Sequence, residues 1–287
     1  MNILVIGANG YVGSKLYSTL KSEGFKISGV DSLKRKDSNF TNEELIISNY
    51  SDLDSNFLDN FSDCIWLSGY SSVKQAEENP KEAFEYNLIN LVDFREKFKG
   101  RLIYASSGSV YSRKTPEYCT ETSQTSQPLN MYDYTKISFD NYLIANSLKG
   151  IGLRFGTVNG SGKNIKKELM INSMVLSALN EKKIYIKNSE HFRPILGIKD
   201  LIDGLKAVLN SQIDFGIYNM CSFNAKIVDI AEQVSRLLDV EIINNGDSPT
   251  YNFLMDNRKF QKDFNFKFSA KIDDIVKDLV DYYEKQN

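Results

Sequence analysis

Histidine is nearly missing from this chain: His191 stands alone among 287 residues. A Ser-His-Asp triad or a histidine-built metal centre would need partners that the sequence does not supply, and His191, beside Phe192 and Arg193, reads as structural. Cysteine is scarce as well. Cys64, Cys119 and Cys221 are far apart and lack metal-ligand spacing, which argues against a zinc site and a disulfide framework. No apolar run approaches membrane-spanning length, and the chain starts directly in a strand pattern without signal-peptide character, so a cytoplasmic protein is expected. An excess of one charge is also lacking. The 35 basic and 37 acidic residues leave a net charge of -2, which gives no footprint for nucleic acid or an anionic membrane. No internal repeat or low-complexity tract is present. Acid-base chemistry must therefore use tyrosine, lysine or carboxylates, and the 16 tyrosines make that residue worth tracing.

What the chain does have is a glycine turn at its start. Ile3 to Ile6 reads as a parallel strand covered on both faces, and Gly7, Gly10 and Gly13 follow in a strand-turn-helix pattern. Glycine lets the backbone turn sharply and approach a ligand that a Cβ would repel, while a helix N-terminus faces an anion. Asp31 ends a second hydrophobic stretch, Phe25 to Val30, at the spacing where a dinucleotide site places a carboxylate on the adenosine ribose. That carboxylate would repel a 2′-phosphate, so NAD is the expected cofactor. Lys34, Arg35 and Lys36 offer the opposing reading, a phosphate clamp, or simply a solvated loop.

Apolar runs at Leu45 to Ile47, Cys64 to Leu67 and Leu102 to Ala105 alternate with helical stretches near Ser14 to Glu23 and Pro80 to Lys99. This alternation predicts an α/β fold, a Rossmann-type doubly wound parallel sheet. Ser112 to Asn130 reads as a long loop, followed by a helix from Met131 to Leu148 and a strand from Ile151 to Phe155. Beyond Gly156 the alternation loosens, with a helix near Lys166 to Asn180. Residues 1–155 are read as the main domain, with a return of about 197–220. Residues 156–196 and 221–287 are read as a smaller C-terminal substrate lobe.

Tyr132 and Lys136 lie four apart on one predicted helix face. Spacing alone proves little, since Tyr11/Lys15, Tyr17/Lys21 and Tyr70/Lys74 match as well. Tyr132 differs by opening the helix after the long loop, downstream of the strand that ends in the serines at 106, 107 and 109. Open parallel sheets bind ligands beyond the carboxyl ends of their strands, where these groups converge with the glycine turn. Bringing a phenol from pKa about 10 to about 7 requires roughly 4 kcal/mol. A cation at about 4 Å with an effective dielectric near 20 supplies about that much, so Tyr132 reads as a tyrosinate base with Lys136 as the cation.

Together these residues resemble the extended short-chain dehydrogenases/reductases, specifically the NAD-dependent sugar epimerase/dehydratase group that includes UDP-galactose 4-epimerase-like enzymes. The resemblance covers nearly the whole chain. It is carried by the glycines at 7 to 13, Asp31, Leu67-Ser68-Gly69, Asn87, the Ser-Ser-Gly-Ser-Val-Tyr run at 106 to 111, Tyr132/Lys136 and the Leu153 to Gly160 stretch. Weaker echoes lie at Arg193 to Asp200, Tyr218 to Met220 and Asp256 to Lys259. The resemblance implies that Tyr132 is the acid/base, Ser107 hydrogen-bonds the reacting sugar oxygen, and Lys136 holds the nicotinamide ribose. It further implies NAD contacts from Gly7, Asn9, Gly10, Tyr11, Val12, Gly13, Asp31, Ser32, Asn49, Tyr50, Leu67, Ser68, Gly69 and Asn87. Substrate contacts are implied for Ser109, Thr157, Asn159, Arg193 and Arg258, the arginines clamping a nucleotide diphosphate. The rival readings are a turn cap for Ser107, a solvated helix residue for Asn87 and a surface charge for Arg258.

Family dehydratases carry Asp-Glu where this chain has Gly108 and Ser109, and neither of these shuttles a proton, which disfavours dehydration and decarboxylation. What remains is reversible oxidation at a sugar carbon, with 4-epimerase chemistry favoured over a ketosugar reductase because Asp31 suits a retained NAD. A non-catalytic NAD sensor or scaffold is the reading of another class, opposed by the presence of Ser107, Tyr132 and Lys136 together. Departures from the family pattern fall at Asn49, Ser112, Thr157 and Asn159. The expected partners are a nucleotide-diphosphate sugar and a second copy of the chain, the homodimer using the helices near Pro80 to Lys99 and Met131 to Leu148. No metal, nucleic acid or membrane is expected.

Overall fold

Ile3 to Ile6 are buried on both sides of the first strand, so the opening apolar run sits at the centre of a sheet rather than at its edge. In the computed structural model, which describes residues 1–33, 44–111, 115–125 and 127–285, the chain runs β1 (Asn2–Ile6), α1 (Tyr11–Ser22), β2 (Lys26–Asp31), β3 (Ile46–Ile47), α2 (Ser55–Leu58), β4 (Asp63–Trp66), α3 (Val73–Glu78), α4 (Pro80–Phe84), α5 (Asn90–Lys97), β5 (Arg101–Ser107), β6 (Tyr118–Cys119), α6 (Met131–Ala145) and β7 (Gly150–Phe155). It continues through β8 (Thr157–Asn159), α7 (Met170–Glu181), β9 (Lys183–Ile186), β10 (Phe192–Gly197), α8 (Ile198–Leu209), β11 (Phe215–Met220), β12 (Phe223–Lys226), α9 (Ile227–Leu238), β13 (Glu241–Asn244), β14 (Leu254–Met255), α10 (Arg258–Asp263) and α11 (Ile272–Glu284). Lys34, Arg35, Lys36 and Ser112 lie outside the described residues.

The main sheet has the order β11-β7-β5-β4-β1-β2-β3, and its pairs are parallel. From β1 the chain first builds outward through β2 and β3, then crosses back to β4, so the order reverses beside β1. The crevice at the carboxyl ends of β1 and β4 is the switch point where doubly wound sheets take ligands. Successive β1 side chains feed opposite layers: Ile3 and Val5 join α1 and α8, whereas Leu4 and Ile6 join Phe94, Phe98 and Phe139. A third apolar cluster unites α7, α9 and α11 beneath a small sheet of order β12-β10-β8. The chain does not divide cleanly at Gly156. Besides α8 and β11, Phe260, Phe264, Phe266 and Phe268 pack into the same cluster as Ile3 and Val5.

Helix boundaries shift where local chemistry intervenes. The single helix expected over Pro80 to Lys99 is broken by a π-helical turn at Glu85–Ile89. Asn87 in that turn is buried and donates its amide to the Tyr70 carbonyl at 3.0 Å and to Thr135 Oγ1 at 3.3 Å. Helix α6 stops at Ala145 rather than Leu148, with Ser147 in the left-handed region at φ 50°. Helix α7 starts at Met170 rather than Lys166 because Asn159 Oδ1 takes the Ile171 N–H at 2.9 Å, near the helix start.

Candidate active site

The carboxyl ends of the parallel strands open into one groove of about 1000 Å³. Two of the three glycines at its floor are demanded by the protein itself. A Cβ on Gly7 (φ 85°) would stand 2.7 Å from the Ser68 nitrogen, and one on Gly13 would stand 2.0 Å from the Gly7 carbonyl oxygen. Gly10 differs, because a Cβ there would meet only the Gly7 oxygen, at 3.2 Å. It precedes α1 as an extended N-cap and, being glycine, offers no side chain to the helix's first N–H groups. Such a terminus is an anion site.

Asp31 is fixed against this turn. Its carboxylate accepts the Asn9 N–H and the Leu33 N–H, each at 2.9 Å, which ties the end of β2 to the start of α1. Asn9, Tyr11, Val12, Ser32, Leu67, Ser68 and Gly69 all line the same end of the groove. The loop after β8 closes over it: Tyr11 donates its hydroxyl to the Gly160 carbonyl at 2.6 Å, and Asn164 donates to the Asn9 carbonyl.

At the other end, β5 delivers Ser107 while α6 delivers Tyr132 and Lys136. Asn130 starts α6 by accepting the Asp133 N–H at 2.9 Å, and this cap sets the helix phase that turns Tyr132 and Lys136 into the groove. The Lys136 ammonium donates to the Ala105 carbonyl at 2.8 Å and lies 5.7 Å from the centroid of the Tyr132 ring. Burial pulls Lys136 down to about 8, a loss partly offset by Asp140. For Tyr132 the structure corrects the expected effect. Burial pushes the phenol up to about 12, the hydrogen bond with Ser107 opposes that rise, and Asp133 adds to it. Lys136 gives one of its N–H groups to the backbone and is not among the groups that shift the phenol.

Ser109 also lines the groove, joined to Ser107 at 2.8 Å between hydroxyl oxygens. Thr157 is in the lining too. Arg193 is half-buried at the groove wall, donating to the carbonyls of Phe192 and Tyr251 and to Thr250 Oγ1. No carboxylate lies within ion-pair distance of it among the described residues, and burial lowers its guanidinium to about 10.

The structure leaves five expected contacts outside the groove lining. Asn49 precedes a 3-10 turn, and Tyr50 packs edge-on against Trp66 with ring centroids 5.2 Å apart. Asn87 sits behind Gly69, where its buried Oδ1 has no hydrogen-bond partner among the described residues. Asn159 is buried as a bridge between Thr157 and Ile171, and Arg258 is exposed and paired with Asp256. Conversely, sequence reading missed Asp133 and Tyr251. Asp133 is fully buried, accepts from Ser109 Oγ at 2.5 Å and from Tyr251 at 2.5 Å, and is reached by the Asn130 amide at 2.8 Å. The pattern Asn-x-x-Asp was visible at 130 to 133 but reads as a helix start. Tyr251 carried no local signal. No group of side chains suited to a metal ion occurs among the described residues, and no helix among them is long and apolar enough to cross a membrane.

Residues 3–221 match the model of the NAD dependent epimerase/dehydratase family. The chain is 25% identical to Protein CapI of Staphylococcus aureus over 99% of this chain and 98% of that protein. It is 25% identical to UDP-glucuronate 4-epimerase 1 of Arabidopsis thaliana, covering 99% of this chain and 76% of that enzyme. The crystal structure of a UDP-glucuronic acid 4-epimerase from Bacillus cereus, in complex with UDP-glucuronic acid and NAD, superimposes with a TM-score of 0.84 at 21% identity, covering 100% of both chains. The likeness to that structure shows a shared fold. The chain belongs to the NAD dependent epimerase/dehydratase family.

Proposed function

From membership of that family, we propose that this protein is an NAD-dependent nucleotide-sugar epimerase acting by reversible oxidation at the sugar C4. The observation that carries this reading is the convergence, in one groove, of an uncapped α1 and a fixed Asp31 with Ser107, Tyr132 and Lys136. Those features fit NAD: α1 suits the pyrophosphate, Asp31 the adenosine ribose, and Lys136 the nicotinamide ribose. When bound, NAD supplies a reversible acceptor for hydride from the sugar carbon. Tyr132 takes and returns the sugar hydroxyl proton, Ser107 holds the reacting oxygen, and Arg193 neutralises the diphosphate.

Residues 1–155 with 197–220 serve as the cofactor domain, and the remainder shapes the sugar end. The proposal includes a homodimer through α4, the π-helical turn after it, α5 and α6, where Ile89, Tyr134 and Ile144 are 41%, 45% and 49% exposed. The soluble, cytoplasmic setting proposed here suits a substrate made from cellular nucleotide sugars. The decisive experiment incubates the protein with UDP-glucose or UDP-glucuronate and separates the C4 epimers by chromatography. Interconversion without stoichiometric consumption of added NAD supports the proposal, whereas net oxidation or reduction would assign a dehydrogenase or reductase instead. Light scattering in solution checks the dimer.

A further inference from the structure

We propose that residues 160–166 form a strap across the dinucleotide crevice, and that its latches, Asn164 above all, keep one NAD in place through successive turnovers. This rests on the epimerase reading above and gives that reading a physical requirement. An epimerase returns hydride from the same cofactor that took it, whereas a reductase must exchange its cofactor in every cycle.

The strap joins β8 to α7 and is anchored on the side away from the groove. Asn172, fully buried on α7, accepts the Gly160 N–H at 3.0 Å and donates to the Lys166 carbonyl at 2.9 Å, which draws the two ends of the strap together. Asp278 on α11 accepts the Ser161 N–H at 2.6 Å and the Ser161 hydroxyl at 2.8 Å. The opposite side of the strap reaches both banks of the crevice. Tyr11 donates its hydroxyl to the Gly160 carbonyl at 2.6 Å, and Asn164 donates to the Asn9 carbonyl in the glycine turn that follows β1. Two residues on, Lys166 donates to Ser71 Oγ in the loop that follows β4. Asn9, Tyr11, Ser71 and Lys166 all line the groove. Because β1 and β4 are neighbours at the switch point, the crevice that takes a dinucleotide is spanned by a chain tied to each bank.

These latches are bonds within the protein, so they set the barrier to passage more than the affinity. NAD enters and leaves by the same opening, and loosening a latch therefore speeds both directions alike and leaves their ratio nearly unchanged. A side chain that gripped NAD directly would behave otherwise. Its loss would raise the exit rate and Kd together.

The test uses the full chain and NAD with no sugar present. Radiolabelled NAD chased with excess unlabelled NAD reads the exit rate, and stopped-flow fluorescence of the single tryptophan, Trp66 at the end of β4, reads entry. Wild-type exit should be slower than about 1 s⁻¹, below an ordinary turnover of about 10 s⁻¹. Asn164→Ala should raise exit and entry each by about tenfold, the worth of one hydrogen bond, with Kd changed by less than about threefold. Asp278→Ala loosens the anchored side without altering the groove lining and should act in the same direction, so it decides the matter if Asn164→Ala fails to fold. Exit from the wild type faster than turnover, unchanged rates in a folded variant, or exit and Kd rising together would overturn the strap. Wild-type protein inactive on UDP-glucose and UDP-glucuronate would refute the proposed function alone, since NAD exchange is read without sugar.

Discussion

The two ends of the groove are built from different materials. At the cofactor end the main chain does most of the shaping: Gly7 and Gly13 are set by backbone contacts, and the start of α1 presents its backbone N–H groups. At the sugar end the shaping belongs to side chains from β5, α6 and the approach to β14, joined by hydroxyl and carboxylate bonds. The contrast teaches how each end fails. A backbone-built site tolerates no added atom, whereas a side-chain network tolerates bulk but not a lost hydrogen bond.

The sharpest break of the sugar end alone is Tyr132→Phe, which should cut epimerisation by about 10³-fold or more while leaving NAD affinity within about threefold. Steady-state kinetics and fluorescence titration with NAD read the two effects separately. Gly13→Ala strikes the opposite end, where the new Cβ must displace the Gly7 carbonyl 2.0 Å away. NAD affinity should fall by about 100-fold or more, roughly 3 kcal/mol, in the same titration.

Lys136 belongs to both ends and gives a pH signature. Its pKa falls from 10.5 unfolded to about 8 folded, so the unfolded chain binds more protons between those values and stability rises with pH across that window. Below about 8 the buried ammonium costs the fold about 3 kcal/mol, and Lys136→Met should therefore stabilise the cofactor-free protein near neutrality. The loss of the bond to Ala105 sets the gain below that ceiling. Urea melts should show the advantage shrinking as pH rises through the window. The smallest effect is expected for Arg258→Ala, whose side chain is 84% exposed and points away from the comparison altogether: kcat and KM should stay within about twofold.

The sequence made the cofactor end legible because steric demands there are local. Glycines three apart, and a carboxylate closing the next strand, leave a mark that can be read without knowing the fold. The parallel sheet was legible for the same reason, since strands covered on both faces are continuously apolar. Tyr132 and Lys136 required only helical phase. The serine-carboxylate network was hidden because its members lie at 107, 109, 133 and 251, and only tertiary folding makes them neighbours. Asp133 was further disguised by its second role in the first turn of α6. Arg258 misled for the converse reason: the local motif was present, but its partner Asp256 holds the side chain at the surface.

The phenylalanines at 260, 264, 266 and 268 complete a layer that Ile3 and Val5 begin. During synthesis β1 must therefore wait, its underside greasy and uncovered, until the segment 260–268 has been made. A chain cut before 260 would be no smaller working cofactor binder but one with a bare flank, and a nascent-chain holdase would find its target at β1.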